Sequence, residues 1–192
     1  MIKSKKDYLE YCKRDKMALG IKASRPRFWL DEIWKYEITL RKCEYLINCK
    51  PFLWKIRLLY HKMKKHSLSL KTGFCIPENV FGPGLAIVHR GTIIVSEGAK
   101  IGMDCRIHEG VTIGATNKSS NAARIGNKCF IASGAKIIGN INIGNNVAIA
   151  AGAVVVSDVL DNCTVGGVPA KKISDNTSRE NMPDCLYNRN GD

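Results

Sequence analysis

Between Val95 and Val155 almost every sixth residue is aliphatic, and that period limits the fold more than any other feature of the chain. The series runs Val95, Ile101, Ile107, Ile113, then Ile125, Ile131, Ile137, Ile143, Ile149 and Val155. The step between the two groups falls on Ser119, inside the polar run 116–121, which is expected to loop out of the repeat. Four residues after the aliphatics stand Ala99, Cys105, Val111, Cys129, Ala135, Ile141, Val147, Ala153 and Val159, nearly all small or β-branched. Two inward positions in six do not fit the 3.6-residue period of an α-helix; they fit a short strand and a turn, repeated. Three such units close a triangular coil of about 18 residues, and coils stack into a parallel solenoid. Gly126–Asn127, Gly139–Asn140 and Gly144–Asn145–Asn146 are expected to supply turns with positive φ. Residues 74–94, with Pro77 and Pro83, read as an irregular first coil.

The N-terminal third follows another rule. Tyr8, Leu9, Tyr11 and Cys12 suggest one helix. Phe28, Trp29, Ile33, Tyr36, Leu40, Cys43 and Ile47 suggest a second. After Pro51, Phe52, Leu53, Ile56, Leu59, Tyr60 and Met63 lie on one helical face, with Lys55, Arg57, Lys62, Lys64 and Lys65 on the polar side. The expected organisation is an α-helical region 1–73, a β-helix 74–173 and a loose polar tail 174–192. The net charge of +13 is concentrated in the first part: residues 1–71 hold 19 Lys/Arg against 7 Asp/Glu. That face is expected to pack on the solenoid or a neighbouring subunit, and a peripheral contact with an anionic membrane or an acidic glycan is the other role its charge suggests. No nucleic-acid recognition motif accompanies the charge, so no nucleic acid is expected.

Eight cysteines include no CxxC pair. The N-terminus carries charges where a secretory signal would be apolar, and no apolar run is long enough to span a bilayer. A cytoplasmic protein with reduced thiols is therefore expected.

Three motifs carry a resemblance: Val88–His89–Arg90–Gly91–Thr92–Ile93–Ile94–Val95, Ile107–His108–Glu109–Gly110–Val111–Thr112–Ile113–Gly114, and Gly166–Gly167–Val168–Pro169–Ala170–Lys171. With the loop after Gly114, the block 76–172 resembles the serine acetyltransferase branch of the hexapeptide-repeat acyltransferases. The resemblance implies a mainly β fold, a left-handed parallel β-helix with an α-helical N-terminal region, assembled as a homotrimer with sites between subunits. It implies acetyl transfer from acetyl-CoA, as co-substrate, to a hydroxyl, with His89 as the general base. An alcohol must lose its proton as it attacks a thioester, and imidazole titrates near neutrality. His89 also occupies the slot where the six-step register, extended back from Val95, calls for an aliphatic. His108, one coil and one residue on, is expected to point outward, beside the same cleft if it takes part. By the same resemblance the pantetheine arm lies against Gly114, Ala115, Ala132, Ser133, Ala150 and Ala151, and Lys171 meets a CoA phosphate.

Two departures bear on the acceptor. Serine acetyltransferases usually carry an Asp before the base, where this chain has Val88, and an Arg–His pair where it has Asn121 and Ala122. Without those charges a free amino acid loses its partners, and the N-terminal region is about half the usual length. The expected acceptor is therefore a sugar of a surface polysaccharide or its precursor, with serine, or a non-catalytic scaffold, as the alternatives. A zinc enzyme on this helix needs three His, and the solenoid holds only His89 and His108, so no metal is expected.

Overall fold

The computed structural model describes residues 1–116 and 120–186. Residues 117–119 of the expected loop, and 187–192 of the expected tail, lie outside the described residues. Three helices come first: α1 (Lys5–Ala18), α2 (Glu32–Cys49) and α3 (Trp54–Thr72). Ser4 caps α1 by accepting from the Asp7 amide. α3 ends on Gly73 at φ 84°, a left-handed cap that suits glycine.

The strands are β1 (Phe74–Cys75), β2 (Ala86–Ile87), β3 (Ile93–Val95), β4 (Lys100–Ile101), β5 (Arg106–Ile107), β6 (Thr112–Gly114) and β7 (Arg124–Ile125). They continue as β8 (Phe130–Ile131), β9 (Lys136–Ile138), β10 (Asn142–Ile143), β11 (Ala148–Ile149), β12 (Val154–Val155), β13 (Thr164–Gly167) and β14 (Ala170–Ser174). They form the three faces of a prism, ordered β1-β3-β6-β9-β12, β10-β7-β4 and β14-β13-β11-β8-β5-β2. Every pairing is parallel except β13 with β14, where the chain reverses across the end of the third sheet. The ten aliphatics of the six-step series fill the interior, and so do Ala99, Cys105, Val111, Cys129, Ala135, Val147 and Ala153. Burial raises the Cys105 thiol well above its usual range and pushes Cys129 up to about 12, so both are inert packing.

The coils are unequal, and the differences locate the irregular corners. Ile125 pairs with Ile143 and Ile137 with Val155, the regular step. Ile101 pairs with Ile125, six residues beyond that step, so six residues between them fall outside the repeat. Ile87 pairs with Ile107, two beyond the step, whereas Val95 pairs with Ile113 in step. Two extra residues therefore lie between Ile87 and Val95. They correct the expected register: Ile87, not residue 89, fills the inward slot, and His89 stands exposed on a widened corner.

The expected turns are met in part. Gly139 (φ 104°) and Asn146 (φ 56°) take positive φ as expected, whereas Gly126, Asn127 and Gly144 do not; the stacked residues Asp104, Lys128 and Asn162 take it at the corresponding corners. Gly126 is required for another reason: a Cβ there would lie 2.6 Å from the Gly144 carbonyl oxygen of the next coil.

The helices close the first coil with buried charge. Glu44 accepts from the Asn79 amide, and Arg41 donates to the carbonyls of Phe81 and Gly82. Asp15 accepts from the amides of Gly84 and Leu85, and Glu37 from that of Ile87. Arg41 is fully buried and paired with Asp15 at 2.7 Å and Glu44 at 3.0 Å. These side chains supply the hydrogen bonds that a further coil would otherwise make.

Other expectations for the flanking regions are corrected. α2 starts at Glu32, so Phe28 and Trp29 are exposed loop residues; Arg27 pairs with Asp31, and Lys35 donates to the Phe28 and Leu30 carbonyls, fixing that loop. α3 buries Leu68 and Thr72, and its expected apolar face is exposed. Lys65 is not on the open side, because it pairs with Glu78 at 3.0 Å. His61 is partly buried against Tyr60, whereas His66 is exposed. The segment after β14 is anchored rather than loose as far as Leu186: Ser178 and Met182 are buried, the Ser178 hydroxyl bonds the Lys128 carbonyl, and a last 3-10 turn (Asp184–Leu186) lies against α1.

Candidate active site

Strand register stacks the residues that follow each aliphatic. The pairs Ile87–Ile107, Ile107–Ile131, Ile131–Ile149 and Ile149–Val165 set Val88, His108, Ala132, Ala150 and Gly166 in one column along a prism edge. Glu109, Ser133 and Ala151 form the adjoining column, and the widened corner brings His89 to its head. The His89 and His108 rings meet edge to face with centroids 5.5 Å apart, and His108 meets Phe130 in the same way at 5.1 Å. One donor or acceptor atom each from His89, His108 and Glu109 lie within 4.8 Å of one another.

Glu109 is the residue that the sequence analysis gave no role. Ser133 hydrogen-bonds its carboxylate and, with the nearby His89 and His108, holds its pKa below the usual value. Gly91 packs on it: its φ is 138°, and a Cβ there would come 2.8 Å from the Glu109 Cβ. The glycine two residues after His89 was the available signal, and it becomes readable only once the two-residue shift is known. Burial lowers the His108 pKa, Arg106 and His89 lower it further, and Glu109 opposes them. Among the described residues, His108 Nε2 and Glu109 Oε2 are buried atoms without a hydrogen-bond partner. The trio spans the distance of a cation's ligands as well as that of a proton relay.

Below the histidines the edge is lined by small residues. Ala132, Ser133 and Ala150 are half-buried and Ala151 is exposed. A Cβ added at Gly152, beside Ala151, meets nothing within 4 Å, whereas one at Gly166 would come 3.1 Å from Ile173 Cδ1, so the space is open beside Ala151 and closed at Gly166. Lys171 pairs with Gly166 at its far end and is exposed. From His108 to Lys171 is four strand spacings, about 19 Å, an extended arm's length. Gly114 and Ala115 are not brought to this edge. Gly114 ends β6, on the first sheet, and Ala115 follows it at the next corner of the prism. A cavity of about 270 Å³ flanks the His89 corner, lined among others by Ile33, Trp34, Val88 and Arg90. Arg90 pairs there with Glu32 at 2.7 Å. Asn121 is exposed and Ala122 buried.

Comparison with known proteins gives the same lineage from three directions. The bacterial transferase hexapeptide family (six repeats) matches residues 122–157. A serine acetyltransferase of Synechococcus elongatus is 38% identical over 115 residues, 58% of this chain and 47% of that protein. The chain thus spans about half the length of the curated relatives it matches. The structure of a serine acetyltransferase from Brucella abortus strain S19 in complex with coenzyme A superimposes with a TM-score of 0.70 at 30% identity, covering 90% of this chain and 70% of that one. A serine acetyltransferase in complex with cysteine gives a TM-score of 0.70 at 26% identity, covering 88% of this chain and 71% of that one. The repeat, the backbone and the sequence agree that the chain belongs to the serine acetyltransferase-like branch of the hexapeptide-repeat acyltransferases and shares its left-handed parallel β-helix.

Proposed function

We propose that this chain moves the acetyl group of acetyl-CoA to an acceptor hydroxyl, with His89 as the general base. The observation that carries the reading is the His89–His108–Glu109 group at the head of a strip of small, half-buried or exposed residues. The strip suits a thin, extended pantetheine arm. Its length suits a thioester at the histidines and a phosphate at Lys171. The coenzyme A complex of the Brucella abortus relative supports the same donor.

In the reaction His89 takes the hydroxyl proton as the acceptor oxygen attacks the thioester carbonyl carbon. The C–S bond breaks, and the proton passes from the imidazolium to the departing CoA thiolate. The products are an acetate ester and free CoA. Glu109 faces the imidazolium that forms, and its negative charge, held by Ser133, stabilises that cation. Gly114 and Ala115 join the donor site only from a neighbouring chain, which favours the trimeric arrangement the family resemblance implies.

For the acceptor, the relatives favour serine: the similar proteins named above are serine acetyltransferases. They lend no support to a polysaccharide sugar, the acceptor expected from the sequence. Three residues keep the sugar as a second reading. Val88, Asn121 and Ala122 bring no charge to the positions that would pair a free amino acid, and Ala122 is buried. The test is release of CoA thiol with serine and with a panel of nucleotide sugars and oligosaccharides. Serine turnover with kcat/KM of about 10⁴ M⁻¹s⁻¹ or more establishes the serine reading. Turnover confined to sugars reverses the order. No thiol release with any acceptor, together with no CoA binding, overturns the transferase reading altogether.

A further inference from the structure

α3 carries its exposed apolar residues on the side where a surface helix is ordinarily polar. At about 100° per residue, its packed side is formed by Leu68 and Thr72, both buried, with Leu58, His61 and Lys65 beside them. On the opposite side Ile56, Leu59, Tyr60, Met63 and Leu70 fall within an arc of about 100°. Each of these five is between 63% and 75% exposed. Phe52 and Leu53, just ahead of the helix, extend the stripe and are exposed as well. Lys55 and Lys62 border it on one flank, and Arg57, Lys64 and Lys71 on the other.

Charge selects the occupant of this face. Residues 45–77 hold seven Lys or Arg and no Asp or Glu. A second copy of the same face would set cations against cations, which disfavours pairing. An apolar stripe between two rows of cations matches a bilayer surface, with acyl chains beneath the stripe and phosphates beside each row. No described helix is long and apolar enough to cross a membrane, so the contact is one that lies along the surface.

We propose that α3 docks the protein on an anionic phospholipid surface, with its axis in the plane of the bilayer. The experiment is co-sedimentation of the full chain with phosphatidylcholine vesicles, with and without phosphatidylglycerol. It needs no catalysis, so it stands apart from the reaction assigned above. Binding is expected at about 0.1 M salt only when phosphatidylglycerol is present, and it is expected to vanish near 1 M, where the Debye length shrinks to about 3 Å. Lys55→Gln, Lys62→Gln and Lys64→Gln together should weaken partitioning by about a hundredfold, about fivefold per cation. Leu59→Ser with Met63→Ser should weaken it at least about tenfold through lost apolar contact. All five residues are exposed, and unchanged thermal melts verify that the variants fold. Absence of sedimentation at low salt overturns the proposal, as does binding indifferent to both variants. A change in the number of chains per particle in lipid-free Leu59→Ser, Met63→Ser protein also overturns it, because it assigns the face to a second copy.

Discussion

A proton acceptor on an exposed corner needs a neighbour that favours its charged form, and Glu109 supplies one to the histidine pair. His89→Ala should lower turnover at least about a hundredfold, the contribution of a general base, while acetyl-CoA binding measured by calorimetry persists. Glu109→Gln should shift the His108 NMR titration to lower pH, because the carboxylate is the group that opposes burial, Arg106 and His89 in setting it. An unmoved His108 titration would separate Glu109 from the relay. The sequence made His89 and His108 legible as chemistry, because imidazoles are out of place in an aliphatic ladder. It misplaced His89 by assuming an unbroken register. Two extra residues between Ile87 and Val95 leave no mark in a six-step count, and they turn an apparent inward substitution into an outward corner.

At the scale of elements, the period of six made the strands legible because each aliphatic has one slot to fill. The helices were legible as helices but not by face. A 3.6-residue period reports which residues share a side and not which side is covered; on α3 the longer stripe is the open one. Nor does it reveal a buried carboxyl such as Glu37, which extends from α2 to hold the Ile87 amide at 3.0 Å while its other oxygen has no partner among the described residues. Burial, and next the nearby Asp15, raise its pKa well above the ordinary carboxyl value of 4.5. A raised folded-state value means that Glu37 favours folding fully at pH below that of an ordinary carboxyl. The contribution is then lost as pH rises through the folded value. Glu37→Gln keeps the acceptor and cannot ionise. Its urea midpoint should match the parent near pH 4 and exceed it increasingly at higher pH. The gap should grow by at most about 1.4 kcal/mol per pH unit. Parallel midpoints across that range would mean that Glu37 is charged in the folded protein.

For the molecule as a whole, five of the seven predicted donor-binding residues share an edge with the histidines and two, Gly114 and Ala115, do not. In the trimer proposed above, a neighbouring chain related by a third of a turn about an axis parallel to the prism would set its Gly114 corner against this edge. Sedimentation velocity should find three chains per particle, and an active, stable monomer would remove the reason for joining the two half-sites. The two ends of the prism carry a different consequence. A stack of like rungs is its own template, since each finished rung presents the pattern that the next chain segment needs, and nothing in the ladder of aliphatics tells it to stop. Here groups at both growing ends are already occupied. Asp15, Glu37, Arg41 and Glu44 occupy hydrogen-bonding groups of the first rung, and β14 lies backwards across the last rung of the third sheet. A backward strand occupies the edge that a parallel copy would need. The buried charges and the reversed hairpin thus oppose end-to-end stacking of one prism on another, which the repeat alone would permit.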